Sequence, residues 1–243
     1  MSAQPSVPAA APALVPRRVI VFGASGTVGT HVLDQGLAQG HEITAFTRSR
    51  TAISARHPHL EIVEGDVFDA PALVPVLSGH DAVIVTLGAG GKGGVRGRAT
   101  AAIATAMSEA GVRRLIVQTS LGVGDSRPAL TPFWKYAMFG LLLRGAYADH
   151  HEQEQITRES GLDWTITRPG AFVDGNRTGQ YRRGFPSVRG RKVATVAPAD
   201  VADFRLEQLA DERWLHQSPN QGYVTGVPRP TSRPLTAHGA HSD

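Results

Sequence analysis

Short apolar runs alternate with segments of helical period over most of this chain. The runs are Arg18–Phe22 and residues 42–46, 60–63, 82–86, 115–118 and 164–167, all rich in Val and Ile. Most lack the polar alternation of a half-exposed strand, which suits parallel strands buried on both faces. Between them, residues 27–39, 71–77, 100–111, 149–161 and 198–209 have helical character, and several of these end on glycine. Strand and helix repeated in this order predict a doubly wound α/β domain, a parallel sheet covered by helices on both faces. The domain is expected to span residues 17–227. The Ala/Pro-rich residues 1–16 and the tail 228–243 are expected to be disordered.

Composition narrows the chemistry. The 243 residues are 41% hydrophobic and 19% charged, enough for a sizeable core, and no cysteine is present. Disulfides, thiolate metal sites and a cysteine nucleophile are therefore excluded. The formal charge is +4, carried by 22 Arg and by Lys92, Lys135 and Lys192. These are spread along the chain without the basic, aromatic-interleaved stripe of a nucleic-acid surface, so no nucleic-acid partner is expected. The longest apolar stretch, residues 132–143, is shorter than the roughly 20 residues a membrane span needs and contains Lys135. It reads as a substrate lid or an oligomer contact. A cytoplasmic protein without a membrane partner, monomer or homodimer, is the expectation.

The first apolar run leads directly into Gly23-Ala24-Ser25-Gly26-Thr27-Val28-Gly29, and a helical segment follows. In a strand–turn–helix, glycines at this spacing permit the tight turn, the backbone's approach to a pyrophosphate, and close helix–strand packing. The helix start then offers free N–H groups and its positive end to phosphate. This context points to a dinucleotide and hence to a Rossmann fold. The second run ends in Thr47-Arg48-Ser49-Arg50, where an NAD-specific site would place an Asp or Glu for the ribose hydroxyls. A guanidinium suits a 2′-phosphate instead, and Ser49 adds a hydroxyl, so NADP(H) is the expected cofactor. After the third run, Asp66 is placed to accept from the adenine amino group, with Val67 packed nearby. Leu87 and Gly88 follow the fourth run, at the carboxyl edge where ligands of such sheets lie.

The second glycine run, residues 88–98, lacks a P-loop pattern, because Thr86 stands at the required glycine and Gly93 at the required Ser or Thr. It reads as a mobile loop whose Lys92, Arg96 and Arg98 could meet an anion, or as a plain surface loop. His57/His59 and His150-His151-Glu152 lack a third partner for a closed zinc site, so no metal is expected. No Gly-x-Ser-x-Gly elbow occurs, and Gly23-Ala24-Ser25-Gly26 belongs to the cofactor turn.

The glycine run, Thr47-Arg48, Gly65-Asp66-Val67, Thr119-Ser120, and Arg158-Glu159-Ser160-Gly161-Leu162-Asp163-Trp164 leading to Arg168-Pro169-Gly170 together resemble the atypical short-chain dehydrogenases/reductases. Within them the chain is most similar to the NADPH-dependent flavin reductase/biliverdin-IXβ reductase group. The resemblance covers about residues 17–210. It implies that Gly23, Ser25, Gly26, Thr27 and Val28 hold the pyrophosphate and that Arg48 and Ser49 hold the 2′-phosphate. It also implies that Asp66 and Val67 border the adenine and that Leu87 and Gly88 lie on the ribose side. Thr119 and Ser120 would sit beside the nicotinamide, with Pro169 and Gly170 against its carboxamide. The tyrosine–lysine pair of many relatives is missing: Tyr147 is followed four residues later by His151, and Tyr136 by Gly140. Ala171 stands where a histidine often follows the proline. His150 matches a histidine at the head of the next helix, leaving Ser120, His150 or solvent as proton source, with Tyr147 the nearest tyrosine. The expected function is hydride transfer from NADPH to a small planar acceptor, such as a flavin, quinone or unsaturated carbonyl. A non-catalytic NADPH sensor and a redox-neutral isomerase are the alternatives.

Overall fold

A computed structural model of the chain describes residues 17–88, 93–129, 143–185 and 194–223. The expected leader and tail, Lys92 and Lys135, and residues 132–142 of the expected lid lie outside the described residues. Six parallel strands form where the apolar runs stand: β1 Arg18–Phe22, β2 Glu42–Thr47, β3 Leu60–Glu64, β4 Ala82–Val85, β5 Arg114–Gln118 and β6 Asp163–Pro169. Their order, β3-β2-β1-β4-β5-β6, reverses direction of travel between β1 and β4, which opens a crevice at the carboxyl ends of those two strands.

The helices are α1 Gly29–Ala38, α2 Ala70–Leu77, α3 Arg96–Ala110, α4 Arg144–Glu159 and α5 Pro198–Glu207. On one face of the sheet, Ile20, Phe22, Val83, Val85, Leu115 and Val117 pack against α2 and α3 through Leu73, Leu77, Ile103 and Met107. On the other, Val19, Val21, Ile84 and Ile116 meet α1 and α5 through Val32, Leu33, Val201 and Leu206. Both faces of β1 and β4 are thus closed to water, which is why their sequences are continuously apolar.

Three features differ from the sequence expectation. Helix α3 begins at Arg96 rather than at 100, and α4 at Arg144 rather than at 149, so His150 lies in the second turn of its helix. Four short strands also appear. Of these, β7 Ala171–Phe172 pairs with β9 Thr195–Val196, while β10 Asn220–Gly222 extends the main sheet beyond β6 and pairs with β8 Arg182–Arg183. Strands of two or three residues, the last of them Asn-Gln-Gly, carry no apolar run from which to be read.

Candidate functional site

All six loops expected to carry cofactor residues leave the same edge of the sheet, because β1–β6 are parallel. The turn after β1 is the tightest. Gly23 has φ +87°, and a Cβ there would stand 2.8 Å from the carbonyl carbon of Thr86, the residue following β4. Thr86 fixes that approach: its N–H donates to Phe22 O at 2.8 Å and its hydroxyl to Gly23 O at 3.0 Å. At Gly29 a Cβ would lie 2.1 Å from Gly23 O, so this third glycine lets α1 start against the turn itself. Gly26 donates to Gly23 O at 3.0 Å and has only that atom near its missing side chain, at 3.2 Å. Ser25, Gly26 and Thr27 are exposed, and Val28, at the N-cap of α1, supplies no side-chain cap. Backbone donors at a helix start, uncapped by protein and reachable from solvent, form the kind of cradle a pyrophosphate fills.

Beyond β2, the Thr47 hydroxyl holds the turn by accepting from Ser49 N at 3.2 Å, while Ser49 Oγ meets Thr51 Oγ1 at 2.9 Å. Glu64 at the end of β3 is engaged by Arg50 N at 2.7 Å. Arg48 is exposed, and its guanidinium has no partner among the described residues. Asp66 Oδ1 accepts from Phe68 N at 3.0 Å, Val67 is buried, and Phe68 is 42% exposed beneath the Arg98 guanidinium, 4.9 Å from the ring centre. Leu87 packs on the core and Gly88 is exposed.

The expected nicotinamide end is built on a buried ionic network. Thr119 is buried and its hydroxyl donates to Glu154 Oε1 at 2.8 Å, so it faces α4 rather than the crevice. Glu154 also receives Arg168 Nε at 2.8 Å, Arg168 Nη2 at 2.7 Å and Arg158 Nη2 at 2.8 Å. Arg168 Nη1 donates to Asp125 in the loop beyond β5. Burial alone would raise the Glu154 carboxyl, but its arginine partners and Thr119 hold it below the usual carboxylate range. The network ties the end of β5 to the end of β6, where Pro169 is buried and its carbonyl accepts from Leu121 N at 2.9 Å. Ser120 is half-buried, its hydroxyl only loosely held by Leu121 O at 3.3 Å.

Arg96 belongs to α3 and not to a loop meeting an anion. It is buried, its Nη1 3.1 Å from Asp149 Oδ2, and the same carboxylate accepts Arg96 N at 3.2 Å and Gly97 N at 3.0 Å. Burial would raise Asp149, but these N–H groups and the Arg96 charge keep it low. His150 is pushed down to about 4 by burial, then by the Arg96 charge, and its Nδ1 is buried with no partner among the described residues. At neutral pH it is an uncharged imidazole. Tyr147 stacks on His151 at 6.5 Å with the Arg127 guanidinium 5.4 Å from its ring. No lysine stands at the position that would activate it. Among the described residues no cluster of His, Asp and Glu could hold a metal ion, and no helix is long and apolar enough to cross a membrane.

The strand order and glycine turn define a dinucleotide-binding Rossmann protein. The chain belongs to the NAD(P)H-binding family, whose model matches residues 23–212. It is 27% identical over 203 residues to the uncharacterized protein YwnB of Bacillus subtilis, covering 79% of this chain and 92% of that one. It is 30% identical over 201 residues to a (4-alkanoyl-5-oxo-2,5-dihydrofuran-3-yl)methyl phosphate reductase of Streptomyces griseus, covering 79% of this chain and 62% of that protein. Among solved structures it is similar to ChuY of Escherichia coli O157:H7, an anaerobillin reductase, at 28% identity and TM-score 0.71 over 87% of this chain and all (100%) of that one. The oxidoreductase ylbE of Lactococcus lactis shares the fold at 22% identity and TM-score 0.71, over 85% of this chain and 91% of its own.

Proposed function

We propose that this protein is an NADPH-dependent reductase of the atypical short-chain dehydrogenase/reductase type, passing hydride to a small planar acceptor such as a flavin, a quinone or an unsaturated carbonyl. The observation that carries the reading is the β1–α1 turn, whose glycines, pinned Thr86 and exposed backbone donors suit a pyrophosphate. The unpartnered Arg48 supports NADPH over NADH, since a 2′-phosphate supplies the bidentate acceptor that its planar donor fork matches. Similarity to reductases in Streptomyces griseus and Escherichia coli favours hydride transfer over the isomerase alternative.

When bound, the reduced nicotinamide supplies the hydride. The chain's own residues hold and orient. Ser25, Thr27 and Val28 take the pyrophosphate through main-chain donors and the start of α1, while Gly26, its N–H engaged by Gly23 O, lets the backbone approach it. Arg48 and Ser49 take the 2′-phosphate, Asp66 and Val67 the adenine, and Leu87 and Gly88 the ribose. Thr119 acts through the wall it builds, because its hydroxyl is occupied by Glu154. Ser120 is the hydroxyl left to touch an acceptor. His150, neutral across physiological pH, can orient an acceptor or pass its N–H proton, but is not a stored imidazolium. An acceptor that draws its proton from solvent fits such a site.

The test is NADPH oxidation by the purified protein across a panel of flavins, quinones and enones. Turnover with at least one acceptor supports the reading. Tight NADPH binding with no oxidation across the panel would favour the non-catalytic sensor.

A further inference from the structure

Beside β6, on the face of the sheet that carries α4, lies a cavity of about 720 Å³ that no residue assigned to the cofactor lines. Its floor is Trp164, with Trp214 and Phe185 among the other aromatic walls. Two charged or ionisable groups frame the Trp164 ring. The Arg158 guanidinium lies 5.9 Å from its centre, and the His216 ring meets it edge-on at 5.5 Å. His216 has φ +55°, the one positive φ among the described non-glycine residues. Such a conformation costs a residue with a Cβ roughly 1–2 kcal/mol and persists where the surroundings impose it. Here His216 N donates to Trp164 O at 2.8 Å, which holds the imidazole at the cavity edge.

The cavity's charge is asymmetric. Asp125 lines it with a side chain that is 85% exposed, one carboxylate oxygen being engaged by Arg168, a buried side chain each of whose three nitrogens donates to Glu154 or Asp125. Arg158 is different. Only its Nη2 is engaged, by Glu154 at 2.8 Å and by Ser218 Oγ at 3.2 Å, and its side chain is 38% exposed. Its Nη1 and Nε have no partner among the described residues, and Ser218 stands beside it with a hydroxyl. The arrangement therefore offers the edges of Trp214, Phe185 and a largely buried Trp164, a half-exposed guanidinium already oriented by a buried carboxylate, and a polar rim of Asp125, Gln217, Ser218 and Asn220. Aromatic side chains combined with convergent polar groups are what small-molecule sites present. An unengaged guanidinium N–H, here on Nη1, can meet a carboxylate through a single charge-assisted bond.

We infer that the Trp164–Trp214–Arg158 cavity is a second ligand site, taking a small aromatic carboxylic acid whose ring lies against the tryptophans and whose carboxylate meets Arg158 and Ser218. None of the residues assigned to a direct cofactor contact lines the cavity, although Arg158, Arg168 and Asp125 belong to the ionic network behind the expected nicotinamide end.

The experiment is calorimetric titration of the full chain with indole-3-acetate, and separately with its neutral amide, each with and without saturating NADPH. Saturable binding of the acid is expected, weaker by about tenfold or more for the amide, since the charge-assisted contact is lost. The same affinity with and without NADPH is also expected. In Arg158→Gln the acid should bind about tenfold or more weaker, with the amide's weak binding unaltered, and Arg158→Lys should recover part of the loss. If Arg158→Gln does not fold, the acid–amide comparison on the native chain decides alone. No saturable binding, equal affinity for acid and amide, or displacement of the acid by NADPH would overturn the inference.

Discussion

The carboxylate of Asp149, on α4, accepts the N–H of Gly97 at 3.0 Å and so caps the start of α3 from a different helix. The N-cap residue of α3, Val95, has no side-chain acceptor of its own. A helix start without a local cap leaves main-chain donors that must find partners elsewhere. Here the partner is a buried acid more than fifty positions along the chain, and it also neutralises Arg96. Asp149→Ala is expected to destabilise the fold by about 2–4 kcal/mol, through the lost cap and an uncompensated buried guanidinium. Asp149→Asn should recover part of that. Urea unfolding measures both, and a loss below about 0.5 kcal/mol for the alanine variant would show that the contact is incidental.

That cap explains what the sequence concealed. Residues 93–98 read as the continuation of a glycine-rich loop, and nothing local in Gly-Gly-Val-Arg-Gly-Arg signals a helix. The signal lies on α4, where Asp149, Gln153, Glu154 and Thr157 recur at helical spacing and are all buried. Polar residues at that period normally mark a solvated face. Here the face is turned into the protein, against the start of α3 and the ends of β5 and β6. The strands β1–β6 were legible because burial on both faces writes an unbroken Val/Ile run. The Glu154–Arg168 pair was not, since no local pattern tells a paired buried charge from an exposed one.

The three glycines of the first turn were legible as a motif, but their separate duties needed coordinates. Gly29→Ala would place its Cβ 2.1 Å from a carbonyl oxygen. It should cost about 2–3 kcal/mol or more of stability and reduce cofactor binding only as a consequence. Gly26 is exposed and a Cβ there would meet only Gly23 O, at 3.2 Å, so Gly26→Val should shift unfolding by about 1 kcal/mol while NADPH affinity collapses. Native affinity in folded Gly26→Val would mean that the turn serves packing alone.

Arg48→Ala tests cofactor choice. Removing one charge-assisted partner of a 2′-phosphate should weaken NADPH by about 1.5–3 kcal/mol and leave NADH nearly unchanged. Equal weakening of the two cofactors would count against the assignment. Titration of each cofactor into each variant supplies the four affinities needed.

His150 gives a pH prediction. Its folded value, about 4, lies below the ordinary 6.5, so the unfolded chain takes up the proton first as pH falls. The stability it contributes is complete above about 6.5 and is lost as pH drops from 6.5 towards 4. In His150→Gln the melting temperature should fall less steeply across that window. Turnover at saturating cofactor should show no histidine-like inflection, because the group is neutral throughout physiological pH. A limb near pH 6.5 that disappears in His150→Gln would contradict this.

The proton step separates this account from a tyrosine-acid mechanism. Ser120→Ala should reduce turnover modestly with an acceptor that draws its proton from solvent, within the lower part of the roughly 10²–10⁴-fold range of general-acid assistance. Tyr147→Phe should change turnover little, since the stacked His151 provides no ammonium. A thousandfold loss in Tyr147→Phe with NADPH affinity intact, on the order of general-acid effects, would restore the tyrosine.

The most direct measurement of the central claim follows one deuterium. The protein is mixed with NADPH deuterated at the transferable position and with a flavin, quinone or enone, and oxidation of the nicotinamide is followed alongside the mass of the reduced acceptor. For an enone the account predicts deuterium on carbon in the product, with oxidised cofactor formed in equal amount. For a flavin or quinone, whose acquired hydrogen exchanges with water, it predicts stoichiometric reduction slowed by the isotope. Both should be lost in folded Gly26→Val. Cofactor that binds tightly yet is oxidised no faster than in buffer, with every acceptor, would contradict it.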